Sequence, residues 1–248
     1  MNLLNVLHFD AGYWEGWLGP VMLLVLFLAV YKRKLTPAAG FVAFLLGLTV
    51  LEGTGFAGAA MLIAFFVMGV LASAYKKKVK RSVRAGIPHS EERNMAQVLA
   101  NGGITGMLAV LAIIDEAHKD LFVFLIAGSL ASAAADTIAS ELGTVMGSRF
   151  VNVLDFRREE RGLDGVVSLE GTLAGIIAAA VIALIHSAFM GFSADALLIV
   201  LAGATGNWID SVLGATLQRK GRLDNDQVNA INTLTGAIVA LVLKLIFG

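Results

Sequence analysis

Two carboxylates stand at the ends of apolar runs, where a bilayer tolerates them poorly. Ala135-Asp136-Thr137-Ile138-Ala139-Ser140-Glu141-Leu142-Gly143 closes the run from Leu121 to Ala135, and Trp208-Ile209-Asp210-Ser211 closes a later one. An Asp at mid-bilayer costs roughly 2.5–3.5 kcal/mol on insertion scales, less toward the interface. Asp136 and Ser140 are four apart and share a helix face. Glu141 lies about 140° further round and joins them only where the helix bends or ends near Gly143. Asp136, Glu141 and Asp210 are hard oxygen donors of the kind Mg²⁺ takes. The chemistry they suggest is a metal and phosphate site. Taken singly, each acid could instead neutralise an Arg or bind a transported cation.

The elements that must position these acids are membrane spans. The chain has 248 residues, 57% of them hydrophobic, 15% charged, with mean hydropathy +0.78. Soluble domains run near ~25% charged. This composition predicts an all-α polytopic membrane protein, one integral membrane domain over residues 1–248. There is no Cys, which excludes disulfides, thiolate metal sites and cysteine nucleophiles. The four His show no ligand spacing, and a net charge of zero names no nucleic-acid partner. Residues 1–16 carry Asp10 and Glu15 and do not read as a signal peptide, while Tyr13, Trp14 and Trp17 suit an interfacial belt.

Apolar segments fall at 17–31, 38–51, 56–75, 97–114, 121–140, 166–188, 194–213 and 228–247. Each approaches the ~20 residues a bilayer needs, the first two being short. All of the 19 Lys and Arg except Lys119 and Lys244 fall on alternate connections: 32–34, 76–93, 149–161 and 219–222. The positive-inside rule then puts those loops in the cytoplasm and both termini outside, in a multi-pass protein of the cell membrane.

The chain also repeats itself. Val98 to Gly106, Val167 to Gly175 and Val228 to Gly236 each open a span after a basic loop with Val, seven residues and Gly. Asp136-Thr137 and Asp210-Ser211 give the preceding spans a common ending. This predicts three helical hairpins as parallel copies over 56–248, with residues 1–55 at most a weak fourth. The alternative is that small-xxx-small spacing merely marks close helix packing.

That topology gathers the unusual residues at one face. Asn101, Ser168, Glu170, Thr172, Asn229, Asn232 and Thr233 join the acids near the cytoplasmic ends of spans, where helix N-termini offer amides and positive dipole ends to an anion. Lys80 stands in the run Lys76-Lys77-Lys78-Val79-Lys80-Arg81, which orients the chain and attracts anionic lipid. Asn225 and Asp226 could be only a turn and helix cap. Asp155, Glu159 and Glu160 read as a solvated loop balanced by Arg157, Arg158 and Arg161.

Several stretches resemble a known membrane domain-of-unknown-function family that includes plant phytyl-phosphate kinase and the transmembrane-protein-19 group. They are Gln97 to Gly103, Ala135 to Gly143, Gly165 to Thr172, Ile209 to Arg219, and Asn225 to Asn229 with Asn232-Thr233. The resemblance covers the chain from about residue 60 onward. It implies a prenyl-phosphate kinase that transfers the γ-phosphoryl group of a nucleoside triphosphate, CTP by similarity to membrane polyprenol kinases, to an isoprenoid monophosphate. The sequence departs from the family's Gly-Thr-Asn-Gly-Gly-Val-Ser pattern: Leu163 takes the place of a Thr, and Asp164 that of an Asn.

On this reading Asp136, Glu141 and Asp210 hold Mg²⁺. Asn101, Asn229 and Asn232 grip phosphate oxygens, with Ser168, Thr172, Asn225 and Asp164 around them. Lys80, Arg93 and Arg149 neutralise charge in the transition state. The prenyl chain lies between spans in the lipid bilayer. The alternative is a transporter or ion-coupled carrier built from parallel hairpins, which expects acids near the midplane with access from both sides.

Overall fold

The computed structural model describes residue 20 and residues 23–83 and 92–248. The aromatic belt expected at Tyr13, Trp14 and Trp17 lies outside the described residues. So does the beginning of the expected first span, of which helix α1 (residues 23–31) is described.

Helix α2 (Pro37–Ala74) is capped by the Thr36 side chain, which accepts from the Ala39 amide at 3.2 Å, with proline in its first turn. It is not one rod. Gly55 has φ +61° and ψ −151°, a conformation that favours glycine. A straight helix would hold residues 36 and 69 about 50 Å apart. Here the Thr36 amide donates to the Arg93 carbonyl at 3.0 Å, while a side chain at Gly69 would meet the Arg93 guanidinium at 3.0 Å. Midway, Gly53 abuts the backbone of Ala109. The chain therefore reverses at Gly55, and α2 is a hairpin of two arms matching the expected spans at 38–51 and 56–75.

Next come the short α3 (Lys77–Val83) and then α4 (Met95–Ile114), opened by a reciprocal capping box between Asn94 and Gln97. A 3₁₀ turn (Glu116–His118) leads into α5 (Lys119–Met146). Strands β1 (Phe150–Asn152) and β2 (Val166–Ser168) pair antiparallel, Phe150 opposite Ser168. The chain ends with α6 (Leu169–Met190), α7 (Asp195–Leu213), a π-helical turn (Gly214–Gln218) and α8 (Asn225–Phe247). Among the described residues six helices are long and apolar enough to cross a membrane, α2 contributing two arms. The protein is an integral, multi-pass, all-α membrane protein, with the small β-hairpin its one two-stranded sheet among the described residues.

Helix α5 is the axis. Its most apolar window is 78% buried, against 28–39% for the other spans. It packs against α2, α4, α6, α7 and α8. Small residues make that crowding possible. A Cβ on Gly128 would sit 2.8 Å from the Gly236 carbonyl on α8, and one on Gly203 of α7 would sit 2.9 Å from the Ala131 Cβ. Without an aqueous drive between helices in lipid, such close backbone approach supplies the association.

The basic connections interlock at one end of the bundle. The Arg93 amide donates to the Lys34 carbonyl, Lys80 reaches Glu141, and Arg219 reaches Glu159. Helices α4, α6 and α8 all start there, capped by Asn94, Ser168 and Asp224. The caps of α4 and α8 precede Val98 and Val228 by the same interval. Helix α6 caps at Ser168, just after Val167, so its repeat register is offset from the other two.

Candidate functional site

The three capped N-termini and the ends of α5 and α7 surround a cavity of about 930 Å³ at the basic end. Its floor is made by Asp136 on α5 and Asp210 on α7. Their carboxyl groups are direct neighbours. Both sit on segments packed through glycine, since Gly206, one turn before Asp210, leaves only 1.8 Å between a would-be Cβ and the Ser132 hydroxyl oxygen. Asp210 Oδ2 is buried and makes no well-formed hydrogen bond among the described residues, with the Asn232 side chain close enough to act on its carboxyl group. Two carboxylates this close repel unless a proton or cation lies between them. The donor set fits a hard divalent cation such as Mg²⁺, Asp136 and Asp210 offering oxygens and water or phosphate completing the shell.

Glu141 lines the same cavity and its charge acts on Asp136, but it is engaged by a lysine. No cluster of three or more carboxylate or imidazole groups placed to hold a metal occurs among the described residues. Glu141 Oε2 instead accepts from Lys80 Nζ at 2.5 Å, and Lys80 also donates to the Ala72 carbonyl at 2.5 Å. Lys80, 4% exposed, lies beneath the site and does not line the cavity. The expectation that it reaches phosphate is corrected: α3 turns it inward because a buried carboxylate needs a partner. Arg93 does line the cavity. Burial pushes its guanidinium below the ordinary arginine value, and the Glu141 charge works in the opposite direction.

Of the other expected residues, Asn101, Asp164, Ser168, Thr172, Asn225 and Asn229 line the cavity. Arg149 does not, being exposed just before β1. Asn232 is fully buried under the floor, its Oδ1 accepting from the Ser132 hydroxyl. Glu170 holds the turn after α5, accepting from the Ser148 amide and hydroxyl. Sequence reasoning missed Gln97, Asn207, Ser211, Gln218 and Asp224 as lining residues. Asn207 was findable, since it precedes Asp210 by three positions and shares its helix face. The α8 cap is Asp224, whose carboxylate accepts from the Gln227 amide at 2.8 Å, so Asn225 and Asp226 are left to face the cavity.

The loop joining β1 and β2 is the roof, with Phe156, Leu163 and Asp164 lining the cavity from above. Arg219 fastens it: Nη2 donates to Glu159 Oε2 at 2.6 Å and Nε to the Asp164 carbonyl at 2.6 Å. Glu159 thus pairs across to Arg219 rather than with the loop's own arginines; Asp155 does pair locally with Arg157 at 3.5 Å. The Arg219 hydrogen bond, helped by Asn152, holds the Glu159 carboxyl below the usual range. Burial pushes Asp164 up, with Arg219 opposing. Gly165 (φ +72°) lies so close to Ala215 that a Cβ would be 2.4 Å from its amide nitrogen, so the roof rests on the π-helical turn.

Comparison with known proteins agrees with a membrane bundle. Residues 20–237 match the family described as integral membrane protein DUF92. An uncharacterized membrane protein of Methanocaldococcus jannaschii is 33% identical over 230 residues, covering 90% of this chain and 92% of that protein. The chloroplastic protein VTE6 of Arabidopsis thaliana is 32% identical over 82% of this chain, which spans 63% of that relative's length. Protein PGR of the same plant is 31% identical, covering 77% of this chain and 75% of that protein. No solved structure matches.

Proposed function

Because this chain belongs to the family of integral membrane proteins DUF92, we propose that it is a prenyl-phosphate kinase. It takes the γ-phosphoryl group of a nucleoside triphosphate, CTP by the resemblance noted above, and gives it to an isoprenoid monophosphate. The observation that carries this reading is the Asp136–Asp210 pair, half-buried at the floor of a cavity whose rim is three helix N-termini and Arg93. By the charge pattern of the loops, the cavity opens to the cytoplasm.

The acceptor is a phosphate, ionised at neutral pH, so its oxygen attacks the γ-phosphorus without a strong general base. The bond formed joins acceptor oxygen to γ-phosphorus; the bond broken releases the nucleoside diphosphate. The protein's task is to place two polyanions in line and to balance their charge. Arg93 lines the cavity, where the charge of Glu141 also acts on it. Amides at the starts of α4, α6 and α8, with Asn101 and Asn229, donate to phosphate oxygens. Asp136 and Asp210 would hold Mg²⁺, which when bound supplies charge neutralisation across the reacting phosphates. The roof loop limits water in the cavity. All candidate groups lie at one end of the bundle, whereas a carrier needs them reachable from both.

The test is transfer of label from γ-labelled nucleotide to a C20 prenyl monophosphate by purified protein in Mg²⁺. Wild type yields labelled prenyl diphosphate, and Asp136→Asn or Asp210→Asn lowers the rate by at least about 100-fold, the scale of removing a key electrostatic group. Near-wild-type transfer by either variant refutes the assignment.

A further inference from the structure

On one side, between α6 and α7, the cavity's lining reaches the outer surface of the bundle. Helices α6 and α7 touch where a Cβ on Gly175 would be 3.2 Å from Asn207 Nδ2, and again where one on Gly203 would be 2.9 Å from the Ala179 Cβ. From there toward the basic end the cavity lies between them, bounded by Thr172 on α6 and by Ala204, Trp208 and Ser211 on α7. Thr172 and Trp208 line the cavity and are also exposed, Trp208 at 56%. Among the described residues of the membrane spans, Trp208 is the one large apolar side chain that is both exposed and cavity-lining. The outer surface it joins is apolar: Leu169 and Leu173 on α6 and Leu201 on α7 are exposed at 71%, 51% and 44%. On a membrane span such side chains face acyl chains. An indole at this boundary has an apolar ring for hydrocarbon and an N–H for the wet side.

We infer that the gap between Thr172 and Trp208 is the passage by which a substrate's hydrocarbon tail leaves the polar cavity for the bilayer, and that Trp208 is the residue that reads that tail. The inference rests on the prenyl-phosphate reading of the same cavity. The headgroup lies over Asp136 and Asp210, and the tail runs past the indole along the Leu169–Leu173 face. A short acceptor ends before it reaches Trp208. Tail discrimination therefore resides in α7, apart from the residues that hold phosphate.

The chain has three tryptophans, so Trp14→Phe with Trp17→Phe leaves Trp208 as the single emitter. This variant, in phosphatidylcholine nanodiscs, is titrated with a C20 prenyl monophosphate brominated along its chain. The expected result is saturable quenching reversed by unbrominated C20 prenyl phosphate. In parallel, Trp208→Ala raises KM for the C20 acceptor about tenfold, the low end of what one apolar pocket contact is worth, and leaves KM for a C5 acceptor within about twofold. Quenching that never saturates and equals that from a brominated phospholipid overturns the inference. So does equal loss with C5 and C20 acceptors. Saturable quenching in a protein that transfers no phosphoryl group supports the passage while ending the kinase reading; transfer without saturable quenching ends the passage alone.

Discussion

Replacing Lys80 by methionine separates two roles that the basic run could give it. Its ammonium lies 2.5 Å from Glu141 Oε2, with the two side chains only 5% and 14% exposed. Removing one partner of such a buried pair costs about 3–5 kcal/mol, because the other charge stays behind without compensation. At roughly 2–4 °C per kcal/mol for a chain of this size, the apparent Tm falls by about 6–20 °C. Arg93 also acts on the Glu141 charge, so the loss belongs in the lower half of that range. Glu141→Gln costs a similar amount. The double variant Lys80→Met with Glu141→Gln removes both charges and recovers most of the loss, giving a coupling larger than about 3 kcal/mol. The assay is thermal unfolding in one detergent at fixed protein concentration, followed by circular dichroism, for all members of the cycle. A lysine that gripped phosphate would behave differently: Lys80→Met would keep its Tm and lose turnover. A Tm within about 1 °C of wild type, or a double variant no better than either single one, refutes the buried-pair argument.

Asp210→Asn removes one of two facing carboxyls and an orphaned oxygen, so its Tm stays equal to or above wild type while turnover collapses; a large Tm loss in unfolding scans would show that the acid is structural. Gly206→Ala drives a Cβ to 1.8 Å from the Ser132 hydroxyl and costs at least about 1–3 kcal/mol by overpacking. Gly55→Ala meets nothing within 4 Å and costs only the strain of a backbone region that is essentially glycine's own, about 1–3 kcal/mol; unfolding scans should show a loss for both, without a steric clash in the second. Glu159 has its folded-state carboxyl below the ordinary 4.5, so its pairing with Arg219 stabilises the roof above that pH and is lost as pH falls through the lowered value. Hydrogen exchange over residues 150–168 should rise on acidification below that window, and Arg219→Gln should show the fast exchange already at neutral pH.

The spans and the meeting of Asp136 with Asp210 are legible because each acid ends a long apolar run on the same side of the loop-charge alternation. The reversal at Gly55 is legible from the same alternation, with Glu52 on the short connection. Lys80 is not legible. In sequence it is one cation among several neighbours, and its partner Glu141 is 61 residues away, so only the packing of α3 selects it. The β-hairpin escapes for a different reason: three-residue strands are too short to display the alternation by which strands are read. Arg219 and Glu159, 60 residues apart, pair across two connections that sequence alone treats as separate solvated loops. Asp224 was passed over because Asn225 and Asp226 beside it are equally good capping types.

The bond from the Ser132 hydroxyl to Asn232 joins residues 100 apart. At about 5–20 residues per second, a ribosome needs roughly 5–20 s to deliver the second partner after the first. During that interval α5 stands among lipids without α8 and with its polar groups unanswered. Its run of Leu, Phe, Val and Ile from Leu121 to Ile126 gives it hydrophobicity to insert without them. The small residues that follow, which let neighbours come close in the finished bundle, are thus carried into the bilayer by the large ones before any neighbour exists.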